Sequence, residues 1–321
     1  MSRAPIAGGA SAPGKMMISG EYAVLAGAPA IVAAVQTRAY ARFVAEAPTG
    51  QLASASRFPE AHAARGRAEQ ELGPVPGELA IDVSELRREG QKLGVGSSSA
   101  AAAAAAGAVL AVRGHDLSSD EVQRRALGFA LDGHRTVAPK GSGADVAACT
   151  LGGFVRYRRT PGHWEVEADR LAWPKELVWR VAWTGQAAST RALIEKVDAL
   201  RERAPRTYDE AMGRLADESE RFVEAFGDAG ALLDATRRYC GAMDALGQAA
   251  GAPIVEQRLR TVAALAQRAG GAAKPSGAGG GDVALALFGS REDAARFDEA
   301  CREAGIALLD VELGGPGVRP L

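Results

Sequence analysis

The chain has 321 residues, enough for one large domain or two of ordinary size, each with its own hydrophobic core. Hydrophobic residues make up 47% and charged residues 24% of the chain, which is typical of a soluble globular protein. A net charge of −1 argues against a protein that binds nucleic acid or an anionic membrane surface, and neither partner is expected.

The three cysteines, Cys149, Cys240 and Cys301, lie far apart and lack the spacing of metal ligands. They indicate reduced thiols in a cytoplasmic protein. The N-terminus lacks a basic stretch followed by an apolar core, so no signal peptide is predicted. The alanine-rich run at 100–112 is too short and too weakly apolar to span a bilayer, and it predicts a buried helix.

Strands and helices alternate in the first half of the chain. Strands are predicted at 16–19, 30–35, 39–45, 79–83, 154–158, 164–167 and 177–183, and helices at about 98–112 and 119–133. Residues 47–78 are rich in Ala, Pro, Gly and Arg, and they are predicted to be irregular.

Helical periodicity dominates from residue 189 onward. The predicted elements are helices at 189–203, 206–226, 229–247 and 253–269, a strand at 283–288, a helix at 291–304 and a strand at 307–312. This change of character predicts an α+β protein of two domains, residues 1–185 and residues 186–321.

Three segments are rich in glycine: residues 13–22, residues 94–99 and residues 274–282. Such runs are expected where the backbone itself approaches a ligand. The second segment runs into the alanine-rich helix, whose first N–H groups and positive dipole end suit a phosphate. An ordinary capped helix after a flexible loop is the alternative. Together the segments predict a cleft built from distant parts of the chain.

Lysine is rare and occurs only at positions 15, 92, 140, 175, 196 and 274. Four of these six lysines lie in or beside a glycine-rich stretch, although six residues can cluster by chance. A compact ammonium group is typical of phosphate sites, so these lysines are candidate phosphate ligands.

Asp145 follows the glycine turn at 141–143 and precedes small apolar residues, which places it at the start of a short buried helix. A carboxylate there is either an N-terminal cap or a base that accepts a proton during phosphoryl transfer. The local sequence is compatible with both roles.

In this order and spacing, the three glycine-rich segments resemble the motifs of the GHMP family of small-molecule kinases. Residues 13–15 with 20–25 resemble the first motif, and residues 274–282 resemble the third. Residues 94–99 are similar to the family's Gly-Leu-Gly-Ser-Ser-Ala phosphate loop, with Val95 for Leu and Ser99 for Ala. Residues 142–145 resemble the segment that carries the family's catalytic aspartate.

The resemblance implies the two-domain α+β fold of this family. An N-terminal domain similar to ribosomal protein S5, residues 1–185, would bind ATP. A ferredoxin-like α/β domain, residues 186–321, would bind the substrate. Either a monomer or a homodimer is compatible with the sequence.

Within the family, Tyr22 stands where mevalonate kinases typically carry His, and residues 89–94, 183–185 and 188–191 look like those of phosphomevalonate kinases. This implies transfer of a phosphoryl group from ATP to 5-phosphomevalonate, which gives 5-diphosphomevalonate. The alternatives are a mevalonate kinase, a diphosphomevalonate decarboxylase and a non-catalytic homologue that senses a metabolite.

The resemblance also implies roles for individual residues. Lys15 would stabilise the transferring phosphoryl group, and Asp145 would orient the acceptor. The residues expected at the phosphates of ATP are Lys92, Gly94, Val95, Gly96, Ser97, Ser98 and Ser99. Those expected at the substrate are Glu21, Tyr22, Ser142, Arg191, Ser276, Gly277 and Ala278.

Mg²⁺ is expected to accompany ATP, with Ser98, or alternatively Ser97, as its protein ligand. Mevalonate kinases place a magnesium-binding Glu about ten residues before the catalytic aspartate. This chain departs from that pattern, because the same stretch offers only Asp132 and His134. For Glu21, a structural hydrogen bond is the alternative to substrate contact.

Overall fold

The structure, a computed structural model, describes residues 8–45, 53–88, 91–92, 94–163, 165–185 and 189–321. Its strands are β1 (Gly9–Ser19), β2 (Ala30–Val44), β3 (Ala53–Ser54), β4 (Glu78–Asp82), β5 (Arg87–Arg88), β6 (Gln91–Lys92), β7 (Phe154–Arg159), β8 (Val166–Leu171), β9 (Val178–Trp183), β10 (Ala272–Ser276), β11 (Val283–Phe288), β12 (Ala307–Leu309) and β13 (Arg319–Pro320). Its α-helices are α1 (Pro59–Leu72), α2 (Ser97–Val112), α3 (Asp120–Val137), α4 (Ala144–Leu151), α5 (Thr190–Arg203), α6 (Pro205–Glu224), α7 (Ala229–Ala250), α8 (Gln257–Arg268) and α9 (Arg291–Glu303).

The first sheet has seven strands in the order β13-β1-β2-β4-β3, with β7 paired to β2 and β8 paired to β7. The pairs are antiparallel, and β1 follows β2 along most of its length. Their register shifts between Pro13 and Lys15. Because such an irregularity redirects the side chains beside it, it turns β1 locally at Lys15.

Helix α2 is the centre of the helical layer on this sheet. It contacts β1, β2, α1, α3 and α4, and its residues from Ser99 to Leu110 are buried. Alanine side chains are small enough to let neighbours approach α2 from all sides. At Gly107 even a methyl group would lie 2.4 Å from Val318 Cγ2. Helix α2 therefore packs closely against β1 and β2.

The second sheet has four antiparallel strands in the order β10-β11-β9-β12. Helices α7 and α8 pack on β10 and β11, α9 packs on β9, β11 and β12, and α5 and α6 pack on α7. After β12 the chain returns to the first sheet, where Pro320 pairs with Ala10. The α+β class is confirmed. In the part of the chain described, no helix has the length and apolar character needed to cross a membrane.

The prediction of irregular structure at 47–78 is wrong, because α1 occupies Pro59–Leu72. The buried face of α1 consists of Ala61, Ala64 and Ala68. Alanine is weakly apolar, so this helix leaves little periodic signal among the surrounding Pro, Gly and Arg residues. Residues 47–52 of the predicted irregular stretch lie outside the described residues.

Two further predictions differ from the structure. The strands expected at 30–35 and 39–45 form one continuous strand, β2. Strand β10 was not predicted, since its sequence was assigned to the third glycine-rich segment.

The division at 185/186 stays a proposal, and strand pairing favours an earlier position for it. Strand β9, Val178–Trp183, belongs to the second sheet. The C-terminal residues expected in the second domain include β13, which pairs with β1 of the first sheet.

Candidate active site

The three glycine-rich segments meet at one end of β1. The backbone N–H of Lys15 donates to the Val95 carbonyl oxygen at 2.8 Å, which joins the first segment to the second. A methyl group at Gly14 would lie 2.5 Å from the same oxygen, so glycine is needed for this approach. At Gly94 a methyl group would lie 3.5 Å from Asp282 Cγ, which places the third segment beside the second.

The second segment, residues 94–99, ends in the first turn of α2. Gly96 precedes the helix at φ 78°, and a methyl group there would lie 2.6 Å from Lys15 Cγ. No side chain caps the helix, so the first N–H groups of α2 remain available to an anion. Ser98 is exposed and Ser97 is half-buried, whereas Ser99 is only 5% exposed. Ser98 therefore offers the most accessible hydroxyl, and the Ser99 side chain lies in the interior.

The predicted ATP site also includes Val95 and Lys92. Val95 is buried at 3% exposure, so it contributes its backbone to the loop. Lys92 is the second residue of β6, but its side chain lies outside the described part of the structure. Its predicted role stays a prediction.

Lys15 and Asp145 form an ion pair next to the start of α2, with Lys15 Nζ at 3.0 Å from Asp145 Oδ2. The lysine side chain is 12% exposed and the carboxylate 37%. Burial acts to lower the pKa of Lys15, but the charge and hydrogen bond of Asp145 outweigh it, and the pKa lies above its ordinary value. Lys15 therefore carries a full positive charge at neutral pH, beside a carboxylate that solvent can reach.

The structure argues against a capping role for Asp145. The N-cap of α4 is Gly143, at φ 83°, and no side chain caps the helix. Asp145 stands in the first turn and directs its carboxylate to Lys15. The turn before it is held by hydrogen bonds from Tyr157 Oη to the Ser142 carbonyl oxygen at 2.6 Å and from Arg159 to the Gly141 carbonyl oxygen at 3.0 Å.

The stretch before this turn contains the two residues that replace the expected magnesium-binding Glu. Asp132 forms surface ion pairs with Arg67 and Arg135, and these two arginines neutralise its charge. His134 packs against Gly141, and its Nδ1 lies 3.6 Å from Glu60 Oε1. Glu60 belongs to α1, and sequence reasoning missed it together with that helix.

The third segment packs on the first through several hydrogen bonds. Ser276 Oγ donates to the Met17 carbonyl oxygen at 2.9 Å, and Tyr22 Oη donates to the Ala278 carbonyl oxygen at 2.6 Å. Tyr22 adopts φ 62°, a backbone conformation that is uncommon for residues other than glycine. The half-buried residues 276–278 thus form a fixed loop that we call the third-motif loop.

Glu21 and Lys274 differ from their predicted roles. Lys274 Nζ lies 2.5 Å from Glu21 Oε1, and the two side chains are 0% and 2% exposed. The expectation that Lys274 is a phosphate ligand is therefore wrong, because its ammonium group is enclosed and paired. For Glu21, the structure shows the alternative, a structural interaction.

Arg191 lies in the first turn of α5 with its side chain 90% exposed. Its Nε donates to Glu195 Oε1 at 2.8 Å, so its described contact stays within the helix. Residues 186–188, just before α5, lie outside the described residues. The predicted contact between Arg191 and substrate stays a prediction.

A cavity of about 400 Å³ opens beside the second segment. Its walls include Val95, Gln36 and Thr37 of β2, Arg87, and residues 309–312.

The side-chain oxygen atoms available as metal ligands suit a magnesium ion that is held mainly by nucleotide phosphates. Within the described ranges, no group of three or more His, Cys, Asp or Glu side chains is arranged to hold a metal. Mg²⁺ usually keeps several waters and binds through one or two carboxylates and the substrate phosphates. The exposed Ser98 hydroxyl and the partly exposed Asp145 carboxylate fit that mode of binding.

Comparison with known proteins identifies both halves of the chain. Residues 63–153 match the model of the GHMP kinases N terminal domain, and residues 222–307 match that of the GHMP kinases C terminal domain. The chain is 33% identical to a phosphomevalonate kinase of a Streptomyces species over 86% of this chain and 88% of that protein. It is 28% identical to a mevalonate kinase of Pyrococcus horikoshii, over 88% of this chain and 89% of that protein.

A solved structure shows the same fold. Streptococcus pneumoniae phosphomevalonate kinase, in complex with phosphomevalonate and AMPPNP, superposes with a TM-score of 0.78 at 19% identity. The match covers 95% of this chain and 99% of that one.

Proposed function

The chain belongs to the GHMP kinase family, and we propose that within this family it transfers the γ-phosphoryl group of ATP to the phosphate group of 5-phosphomevalonate. Membership makes it a phosphotransferase, and it confirms the predicted fold. Its curated relatives, a phosphomevalonate kinase and several mevalonate kinases, indicate the mevalonate-pathway branch of the family. The identity of the acceptor is the part that we propose.

The observation that carries the proposal is the 33% identity to a phosphomevalonate kinase over most of both chains. The motifs support it, because Tyr22 takes the place of the His that is typical of mevalonate kinases. In the structure the Tyr22 hydroxyl donates to the Ala278 carbonyl oxygen, so this residue shapes the third-motif loop, where the acceptor is expected.

The start of α2 would bind the triphosphate. No side chain caps its first N–H groups, the Ser98 hydroxyl is exposed, and Gly96 just before the helix lies against the Lys15 side chain. Backbone N–H groups at a helix N-terminus stabilise phosphate without any change in protonation. When Mg²⁺ is bound with ATP, Ser98 and Asp145 would hold it, and it would neutralise phosphate charge.

Lys15 would stabilise the negative charge of the phosphoryl group during transfer. Its raised pKa keeps it protonated across the neutral range, and its side chain is kept in place by the contact with Gly96 and by Asp145. Phosphoryl transfer depends mainly on such positioning and charge stabilisation. The ion pair therefore supplies a fixed cation where the transferred group passes.

Asp145 would orient Lys15 and the acceptor. A phosphate monoester has a second pKa of about 6 and is largely ionised at neutral pH, so little proton abstraction is required. We therefore assign Asp145 a role in electrostatic positioning first, with proton removal from the monoanionic fraction of the acceptor.

Mevalonate is the second candidate acceptor, because several mevalonate kinases are 27–30% identical to the chain. For an alcohol acceptor, Asp145 would have to act as a general base, since an alcohol is not ionised at neutral pH. The two acceptors thus require different roles of the same carboxylate.

An ADP-release assay with Mg·ATP separates these candidates. We would compare mevalonate, phosphomevalonate, diphosphomevalonate, galactose and homoserine, with CO₂ monitored in the same reactions. We expect the highest kcat/KM with phosphomevalonate. Faster turnover of mevalonate, or CO₂ from diphosphomevalonate, would overturn the proposal, and no turnover with any acceptor would favour a metabolite sensor.

A further inference from the structure

An enclosed ion pair links the first glycine-rich segment to the third. Glu21 follows β1 and Lys274 lies in β10 of the other sheet, 253 residues further along the chain. The oxygen–nitrogen distance is 2.5 Å, and neither side chain is accessible to solvent to any useful degree. A ligand therefore cannot reach either charge directly.

The surroundings of the pair hold it in one geometry. Lys274 Nζ also donates to the Pro275 carbonyl oxygen at 2.6 Å and lies 5.5 Å from the ring centroid of Tyr239, a fully buried residue of α7. The Tyr239 hydroxyl donates to the Glu21 carbonyl oxygen at 2.9 Å and accepts from the Gly20 N–H at 3.1 Å. The tyrosine thus fixes the Glu21 backbone and the lysine at the same time.

The same carboxylate oxygen reaches the third-motif loop. Glu21 Oε1 accepts a hydrogen bond from the Gly277 N–H at 3.3 Å, in addition to the one from Lys274. Neighbouring contacts join Tyr22 to Ala278 and Ser276 to Met17. The middle of the loop is therefore set by the carboxylate, and its two ends are set by Ser276 and Tyr22.

Stability alone is a weak reason for this arrangement. Two buried charges lose their hydration, and apolar side chains of similar volume are often as stabilising or more so. Within the described residues, the second carboxylate oxygen, Glu21 Oε2, has no hydrogen-bond partner. The polar pair thus carries a cost in hydration that an apolar pair would avoid, which points to a role in geometry.

The pair is also within electrostatic reach of the candidate active site. The negative charge of Glu21 is one of the smaller influences that raise the pKa of Lys15. Two influences on the pKa of Lys15 are larger: its own burial, which lowers the pKa, and the adjacent Asp145, which raises it. The link to Lys15 is therefore secondary to the direct link to the loop.

We propose that Glu21 and Lys274 form a positioning pair, which sets the third-motif loop for the acceptor without touching the acceptor itself. This inference rests on the proposed function, in which residues 276–278 contact the acceptor. It assigns the geometry of the loop to a buried contact with Glu21, which is remote in sequence from the loop, through Lys274 just before the loop.

The test is the double variant E21M/K274M, in which two unbranched apolar side chains fill the space of the pair. Removing one partner alone would leave an unpaired buried charge, so the double change is the cleaner one. We expect a folded protein with a Tm close to that of the wild type. With Mg·ATP and 5-phosphomevalonate, KM for the acceptor should rise on the order of tenfold or more, with KM for ATP within about twofold of the wild type.

A matched control removes an exposed ion pair that also joins the two halves of the chain. Arg158 and Glu220 link β7 to α6 at 2.5 Å, and neither residue belongs to a glycine-rich segment. The variant R158M/E220M should leave both KM values unchanged. An unchanged acceptor KM in E21M/K274M, or equal increases for acceptor and ATP in that variant, would overturn the positioning role.

A second variant and a second measurement cover the case in which E21M/K274M does not fold. E21D keeps both charges but shortens the reach to Gly277, so it should raise the acceptor KM while the protein stays folded. In the ligand-free E21D variant, a peptide that covers 275–282 should exchange hydrogen faster than in the wild type, whereas exchange in α7 should be unchanged. An exchange rate and an acceptor KM equal to the wild type in E21D would contradict the proposal.

Failure of this inference can be told apart from failure of the proposed function. If the wild type prefers mevalonate, the same KM comparison is made with mevalonate, and the exchange measurement needs no acceptor. A wild type without activity would contradict the proposed function. The hydrogen-exchange result alone would then decide whether the pair holds the loop.

Discussion

Replacement of Asp145 by Asn should reduce turnover strongly and stability only slightly. The substitution keeps the shape of the side chain but removes the charge that faces Lys15 Nζ at 3.0 Å. Because the carboxylate is 37% exposed, solvent screens the pair, and we expect a loss of about 1 kcal/mol in the free energy of unfolding. For a chain of this size that lowers Tm by only a few degrees.

The effect on the reaction should be much larger than the effect on the fold. If Asp145 accepts a proton, kcat should fall on the order of 10²–10⁴-fold. With phosphomevalonate the loss should shrink as pH rises above about 6, because the acceptor then arrives ionised. With an alcohol acceptor no such recovery is expected. The pH dependence therefore reports the class of acceptor as well as the role of the carboxylate.

The variant should also change the titration of Lys15. In the wild type the pKa of Lys15 is raised, so its stabilising contribution is present at neutral pH and is lost only as pH rises through that raised pKa. Without the carboxylate, burial is the largest remaining influence, so we expect the pKa of Lys15 to fall below its ordinary value. Between that lowered pKa and the ordinary one the unfolded state binds more protons, so stability of the variant should rise with pH.

The assay is steady-state ADP release for wild type, D145N and the control D132N, combined with thermal unfolding at several pH values. Asp132 lies on α3 and pairs with Arg67, so D132N removes an aspartate charge outside the candidate site. Retention of more than about a third of wild-type kcat by D145N at all pH values would refute our reasoning on Asp145.

Three further changes test other parts of the site. S98A should raise KM for Mg·ATP with little change in Tm, measured by ATP titration at several Mg²⁺ concentrations, and an unchanged profile would shift the ligand role to Ser97. R191A should raise KM for the acceptor about tenfold to a hundredfold if the exposed guanidinium binds its phosphate, whereas equal effects on ATP would indicate a structural role. G96A should lower kcat/KM and Tm together, because its methyl group at φ 78° would lie 2.6 Å from Lys15 Cγ, and wild-type values of both would refute the close approach.

That the three glycine-rich segments meet was predictable from the sequence, because a backbone that passes close to its neighbours needs glycine at particular positions. Glycines 14, 94 and 96 stand where a side chain would collide or where φ is positive, and each occurs in a recognisable motif. The short helix that begins before Asp145 was predictable for the same reason, since a glycine turn precedes it.

The partners of the buried charges could not be predicted in this way. Nothing in the local sequence around Glu21 indicates that its partner lies 253 residues away, or that Tyr239 encloses both. Glu60 was missed because its helix is stabilised by buried alanines, which carry a weak periodic signal. Both cases depend on packing between elements that are distant in sequence, and a motif records only its own segment.

The two lysines of the first and third segments show why burial must be known before a role is assigned. Both stand in glycine-rich motifs and both pair with a carboxylate. Lys15 pairs with Asp145, whose carboxylate is 37% exposed, so a phosphate that binds there can share this partner. Lys274 is fully enclosed and also donates to a backbone carbonyl oxygen, so exchanging its partner would require the two sheets to separate. A lysine charge therefore suits phosphoryl transfer at position 15 and a structural role at position 274.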